Sequence, residues 1–419
     1  MSKLNILISG GGIAGPCLAW WLHKRLPSVS ITITERFSEP RTSGQAVDIR
    51  DAGVEVIQLM GLQEKIQSKH TTEEGIEFIY ADGKTKAQFG ASGDVNAQSM
   101  TSEFEILRGD LANIFYDETK DMEGVKYVFG ENITSIHQQE NGKVSVKFAN
   151  QLPETEYDLV VGADGMLSQT RRRIWGRGPK DNDFLRRLGQ YMAYFTIPRI
   201  ESDTKWAQWY NAPNGRLVFL RPSPYQDTRG YLAVTDGNLS KFDKIKSLME
   251  KGRETQMDWL EEEFQGADWQ TERVLKGMRA APDFYMQETA QVKLEEFVKE
   301  RVALIGDAGY APSPISGMGT TLAIVGAYVL AGELSKLPSD AAGAAQQYQQ
   351  VLRPFVNKCQ SLPPGAPQLV NPQTKWGIAT LNTVIGISSS KYIQKFALGV
   401  ASLLPNTKWK LPDYPAVEQ

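Results

Sequence analysis

Cysteine and histidine are almost missing from this chain. Cys17 and Cys359 are the only cysteines in 419 residues, so neither a disulfide framework nor a zinc cluster can be built. Cys17 falls in an apolar helical segment and reads as a small buried hydrophobe. The three histidines, His23, His70 and His137, stand in no motif, which argues against a His-based triad or a multi-His metal site. A dominant charge is lacking too: a net charge of −3 sets up no basic field for nucleic acid. Within Trp376 to Leu404, which Lys391 and Lys395 interrupt, no uncharged run reaches the ~18 residues that a membrane span needs, and the chain has no internal repeats. The first strand-like run begins at residue 4, which leaves no room for a leader peptide and makes the cytosol the expected compartment. What remains is 41% hydrophobic and 23% charged, the composition of a globular protein of two or three domains.

The stretch from Leu4 to Arg36 organises the rest. Leu4 to Ser9 is apolar and uncharged, as a buried parallel strand should be. Gly10-Gly11-Gly12-Ile13-Ala14-Gly15 follows at once and fits G-x-G-x-x-G. A helical pattern then runs to Pro27, Ile31 to Thr34 forms a second strand, and Glu35 stands 20 positions after Gly15. In such a unit the first glycine makes the tight turn and the second lets the backbone approach a pyrophosphate. The third lets helix and strand pack closely, and the acid takes a ribose diol. The helix N-terminus offers free N–H groups to phosphate.

Two further apolar strands end in glycine turns. Asp158 to Ala163 runs into Asp164-Gly165, then Ser168 and Arg171-Arg172-Arg173, which reads equally as a solvated helix face or as an attractor for nicotinamide-cofactor phosphates. Arg301 to Gly306 runs into Asp307 and a loop rich in Gly, Pro and Ser, followed by an apolar helix from Thr320 to Lys336. Ile76 to Phe89 reads as a hairpin about Asp82-Gly83. From Gln190 to Thr235 the runs are β-rich and aromatic, separated by Pro, Asn and Gly, and residues 241 to 266 are helical. Pro363 to Pro372 is a connector, and Trp376 to Leu404 has helical spacing that suits a packed helical pair better than a membrane-surface or partner helix. The expected fold is α/β: a discontinuous Rossmann-like dinucleotide-binding domain over 1–174 and 291–350, a substrate-binding β-sheet domain over 175–290, and a helical C-terminal segment over 351–419.

Together the three motifs resemble the class A FAD-dependent monooxygenases, the aromatic-hydroxylase-like family that includes the tetracycline-inactivating enzymes. The resemblance implies FAD, held at Gly10, Gly12, Ala14 and Gly15, with Glu35 on the adenosine ribose and Arg36 on the adenine side. It puts Arg108 at the phosphate and ribityl region, Asp164 at the second turn, and Asp307 on the ribityl hydroxyls. Pro314, Gly317, Met318 and Gly319 would meet the flavin's pyrimidine edge, and Asp48 would face the flavin. It further implies NADH or NADPH as a transient reductant, molecular oxygen as co-substrate, and a flavin hydroperoxide that passes one oxygen atom to an electron-rich aromatic or polycyclic molecule. Gln208, Tyr210, Phe219 and Arg221 are the candidates for the substrate pocket. No catalytic side chain and no metal ligand is named, because the cofactor carries the chemistry. The alternatives are a halogenase or reductase of the same fold, or a binding protein that has kept the fold. Trp206-Ala207-Gln208-Trp209 does not match the halogenase signature, and the intact Glu35 and Asp307 speak against a non-enzyme.

Overall fold

Leu4–Ser9 lies in the middle of a six-stranded sheet, with Ile6, Leu7 and Ile8 fully buried. The structure is a computed structural model that describes residues 4–26, 28–41, 44–90, 104–179, 182–238, 240–388 and 409–417. Leu4–Ser9 pairs in parallel with Val29–Glu35 on one side and Leu159–Gly162 on the other. Val125–Phe129 extends the sheet beyond the first, and Val302–Leu304 with Val298–Lys299 beyond the second. The three glycine-ended strands of the sequence thus become neighbours, although nearly three hundred residues separate the first from the last.

Alternation divides the burial between two faces. Ile6 and Ile8 join the core under the helices Ala14–Arg25 and Gly319–Lys336, where Cys17 is also buried. Leu7, Val160 and Val302 face a three-stranded sheet of Ile133–Gln138, Val144–Phe148 and Thr155–Tyr157. Each such aliphatic side chain contributes roughly 1.5–3 kcal/mol by leaving water. Helix Gly319–Lys336 is buried from Thr320 to Leu334, as a helix that is apolar all round must be.

The second sheet has seven strands, in the order Tyr285–Val292, Leu185–Pro198, Asp227–Thr235, Arg216–Pro222, Trp206–Ala212, Gly75–Ile79 and Thr85–Gly90. Its last two strands correct the expected domain boundaries. The hairpin 75–90 lies within the first 174 residues, yet Gly75–Ile79 pairs in parallel with Trp206–Ala212. A parallel partner distant in sequence leaves no local signal. The boundary at residue 350 also falls inside one helix, Ala341–Cys359, whose Leu352, Phe355 and Val356 belong to the first core. On one face of this sheet Tyr191, Phe195, Tyr210, Val218 and Leu232 pack against the helices Phe242–Glu250, Arg253–Phe264 and Thr271–Ala280. The helical reading of 241–266 therefore resolves into two helices, parted at Gly252 with φ +91°.

After the short helix Ala366–Val370, helix Lys375–Ser388 covers the first half of the helical pair expected over 376–404. The remainder up to Leu404 lies outside the described residues, as does the expected exposed connection at 91–100. Residues 409–417 return to the first domain, where Tyr414 packs beside Tyr328 and its hydroxyl donates to Glu333 at 2.6 Å. Among the described residues no helix is long and apolar enough to cross a membrane.

Candidate active site

The glycines of the first turn serve two different purposes. Gly10 has φ +120°, and a Cβ there would stand 2.4 Å from the Ala163 carbonyl oxygen of the second turn. A Cβ on Gly15 would stand 2.1 Å from the Gly10 carbonyl oxygen. These two let the turns and the helix close on each other. Gly12 instead faces an open side, where the nearest group is the Arg108 guanidinium, 3.2 Å from where its Cβ would be. Helix Ala14–Arg25 begins there with no side-chain cap, so its first N–H groups and the positive end of its dipole point outward.

Glu35 accepts hydrogen bonds from the N–H groups of Gly11 at 2.9 Å and Phe37 at 3.1 Å. Two bonds leave roughly half of the lone-pair sites of a carboxylate. Arg36 and Arg41 both lie against the Phe37 ring, at 4.9 and 5.1 Å.

Strand Val302–Leu304 delivers Asp307 to the same place. Its side chain is exposed, yet the surrounding protein is dense enough for burial to raise its carboxyl pKa, with Arg108 opposing the rise. Solvent access within a crowd of protein atoms describes a group on the floor of a cleft. A Cβ on Gly319 would lie 3.7 Å from Asp307 Oδ1, which brings in the start of helix Gly319–Lys336. Pro314–Ser316 makes a single 3-10 turn, Gly317 ends it in the left-handed conformation at φ +63°, and Met318 leads into the helix. Ser313 holds a strained φ of +83° just before the turn, and its hydroxyl accepts from Ile315 N–H. Strain of this kind concentrates at functional loops.

Asp48 reaches the cleft on the strand Ala46–Asp48, which pairs with Glu105–Leu107. Its Oδ2 pairs with Arg50 at 3.1 Å and would lie 3.6 Å from a Cβ on Gly317, while its Oδ1 is buried without a partner. Arg108 opens the helix Arg108–Thr119, and its backbone N–H is fixed to the Gln45 carbonyl at 2.9 Å.

The side chains of the second motif are engaged within the protein. The Asp164 carboxylate does not point into the cleft but caps the helix Gln169–Trp175, accepting from Ser168 Oγ at 2.5 Å, Gln169 N–H at 2.8 Å and Thr170 N–H at 3.0 Å. Its main chain still borders Gly10. The run Arg171-Arg172-Arg173 is neither a solvated face nor a phosphate attractor. Arg171 is fully buried and donates to the carbonyls of Ala308 and Met166, both at 2.7 Å, which ties the second turn to the third. Arg172 pairs with Asp183, and Arg173 donates to the Thr134 carbonyl at 3.0 Å.

The other face of the seven-stranded sheet carries a row of rings that sequence reasoning misses. Register places Phe78, Trp209, Phe219, Tyr231, Tyr194 and Tyr285 side by side on six successive strands. Adjacent ring centroids are 6.0, 5.0, 5.2, 5.2 and 4.9 Å apart. At one end of the row, burial pushes Tyr285 up to about 12, and the charges of Arg108 and Arg41 oppose that shift. Arg221 flanks the row and makes two bonds to Glu73, at 2.8 and 3.1 Å, and an ion pair to Glu105. Burial drives the Glu105 carboxyl pKa upward, Arg221 works against it, and Glu73 and Asp48 add to it.

Of the four pocket candidates, Phe219 and Arg221 are on this side. Tyr210 is not, because alternation turns it into the helix-covered core beside Trp269. Gln208 shares that parity and donates to Glu77 at 2.9 Å. The signal that separates both from the pocket is their alternation with Trp209, which puts them on the opposite face of the strand.

The comparisons with known proteins bear on this cleft. An FAD binding domain family model matches residues 3–360. The FAD-dependent monooxygenase asL6 of Sarocladium schorii is 34% identical, over 99% of each chain. The chain belongs to the FAD-dependent monooxygenase family. The flavin-dependent monooxygenase eupH of a Phoma species is 33% identical, over 99% of this chain and 98% of its own. The crystal structure of the tetracycline destructase Tet(51) superposes with a TM-score of 0.76 at 29% identity, covering 99% of this chain and 100% of that one. For an FAD-dependent monooxygenase the donor set suits its cofactor: a glycine turn whose open side meets an arginine, two uncapped helix starts for anionic groups, and a carboxylate for hydroxyls.

Proposed function

We propose that this monooxygenase uses NADH or NADPH and molecular oxygen to insert one oxygen atom into an electron-rich aromatic or polycyclic molecule lying along the ring row. The observation that carries this reading is the link from row to cleft through Arg221, which lies 5.7 Å from the Phe219 ring and pairs with Glu105, the register partner of Asp48. Gly10, Gly12, Ala14 and Gly15 hold the pyrophosphate, with Arg108 as its counter-charge. Glu35 accepts the adenosine ribose with its remaining lone pairs, and Arg36 covers the adenine side. Asp307 accepts the ribityl hydroxyls, and Asp164 supports the second turn through its main chain. Pro314, Gly317, Met318 and Gly319 present the flavin's pyrimidine edge to a helix start, whose dipole favours negative charge. Asp48 faces the flavin from the opposite strand pair. Bound FAD supplies the redox and oxygen-activating chemistry.

The chain's own contribution is to bind, orient and exclude water. Aromatic pairs favour offset or edge contacts with a ring ligand, each contributing roughly 0.5–1.5 kcal/mol beyond the area buried. The likeness to a tetracycline destructase supports a fused-ring substrate. The buried Arg221–Glu73–Glu105 cluster holds the strand of Asp48 against the sheet, and so sets the distance from row to cleft. The test is turnover under heavy-isotope oxygen gas with reductant and substrate. One labelled atom in the product is expected, and label taken from water, or turnover undiminished without oxygen, overturns the reading.

A further inference from the structure

The C-terminal helix carries an apolar surface that the oxidation chemistry does not use. Helix Lys375–Ser388 has no charged residue after Lys375. Its inner side sets Leu381 and Ile385 on Ile76, Phe78 and Ala207, at the far end of the ring row. Its outer side leaves Trp376 79%, Val384 58% and Ile387 56% exposed. Val384 and Ile387 follow Trp376 by 8 and 11 positions, which puts all three on one side of a helix. The short helix Ala366–Val370 before it exposes Leu369 and Val370 as well. Five of the twelve exposed large hydrophobics among the described residues thus fall between Leu369 and Ile387.

Charge sets the same region apart. No Asp or Glu occurs in the sequence between Asp340 and Asp413, whereas Arg353, Lys358, Lys375, Lys391, Lys395, Lys408 and Lys410 do. In a chain of net charge −3, this stretch is acid-free and basic in sequence, and its Lys375 stands exposed at the start of the helix. A helix side of Trp, Val and Ile within a basic stretch complements a bilayer whose headgroups are anionic: apolar side chains enter the acyl boundary while lysines reach the phosphates. A second copy docked symmetrically would bring one basic stretch against another, and like charges oppose that.

We propose that the outer side of helix Lys375–Ser388, together with Leu369 and Val370, docks on an anionic lipid surface. The helix lies along the bilayer and does not cross it, in keeping with the lack of a spanning helix among the described residues. Docked in this way it stands between the bilayer and the Phe78–Trp209 end of the ring row, where an apolar ring compound dissolved in lipid would be presented to the protein.

The test floats the full-length FAD-loaded protein with vesicles of phosphatidylcholine alone or mixed with phosphatidylglycerol. Binding to the mixed vesicles is expected to be at least about tenfold tighter than to the neutral ones, and to weaken with added salt. The double variant Val384→Glu with Ile387→Glu should lose binding while keeping FAD and its thermal midpoint. The milder Lys375→Glu, at an exposed position, should weaken it, so the conclusion does not rest on one variant folding. Equal binding to both vesicles, or none, overturns the proposal. Light scattering of the protein that fails to bind then tests the other occupant: a dimer dissolved by the double variant means a second copy.

Discussion

The cleft and the ring row are joined through Arg221 and Glu105, but they are built in opposite ways. The cleft is made of turns in which backbone does the work, and each turn is a short contiguous segment: 10–15, 164–168, 306–319. The row is made of single side chains, one per strand, drawn from residues 78, 194, 209, 219, 231 and 285. A site of backbone shape tolerates almost no substitution at Gly10 and Gly15, because an added Cβ there meets a carbonyl that cannot move away. A site of side chains spreads its binding over many contacts, and each is individually replaceable.

The comparison can be broken most severely at Gly10. Gly10→Ala adds a Cβ 2.4 Å from the Ala163 oxygen at φ +120°, so strain and overpacking together should cost about 2–6 kcal/mol. Thermal unfolding and the yield of yellow protein measure this, and a soluble variant with native FAD content would refute the packing role. Tyr210→Ala comes next. It empties a buried site under the helices and should cost about 3–5 kcal/mol of stability, with KM for substrate unchanged in the folded fraction. A raised KM at native stability would return Tyr210 to the pocket.

Asp307→Ala sharpens the contrast from the cleft side. Losing hydrogen bonds to a charged acceptor, at roughly 1.5–3 kcal/mol, should weaken FAD binding about 10- to 150-fold. The fold should survive, because the side chain stands at solvent. Titration of the apoprotein with FAD reads this directly, and unchanged affinity would remove Asp307 from the ribityl chain. The smallest effect is expected in the row. Phe219→Leu keeps an apolar group but removes one ring, so roughly 0.5–1.5 kcal/mol, or about 2- to 13-fold in KM, should be lost while FAD affinity stays constant. Loss of FAD with the ring would show that row and cleft are one site.

Legibility follows the same division. The three glycine turns, Glu35 and the helix after Gly319 can be read from the sequence, because spacing along one segment is what creates the geometry, whereas Arg108 and the role of Asp307 enter through the family resemblance. Asp164 stands in the turn that the motif predicts, but its carboxylate serves the protein rather than a cofactor. Ser168, Gln169 and Thr170 outcompete any external partner for its oxygens, and only the helix start reveals that. Gln208 and Tyr210 mislead a sequence reading because a strand shows its period but not which of its faces is covered. The Asp158–Asp164 and Arg301–Asp307 segments can be recognised as partners of the first strand by their shared ending. Nothing in the hairpin 75–90 announces that it will complete a sheet with a strand more than a hundred residues away, since a parallel pairing needs no local turn.

Sequence alone determined that this chain binds a dinucleotide in a glycine-turned α/β domain, and pointed to a flavin monooxygenase. A phosphate-binding turn is a local object whose every requirement, from the positive φ of Gly10 to the free N–H groups behind Gly12, is met within a few residues. The tertiary structure decided which residues can face the substrate. Register across six strands is a long-range outcome of packing: it gathered Phe78, Trp209, Phe219, Tyr231, Tyr194 and Tyr285 onto one face, and it sent Tyr210 to the other.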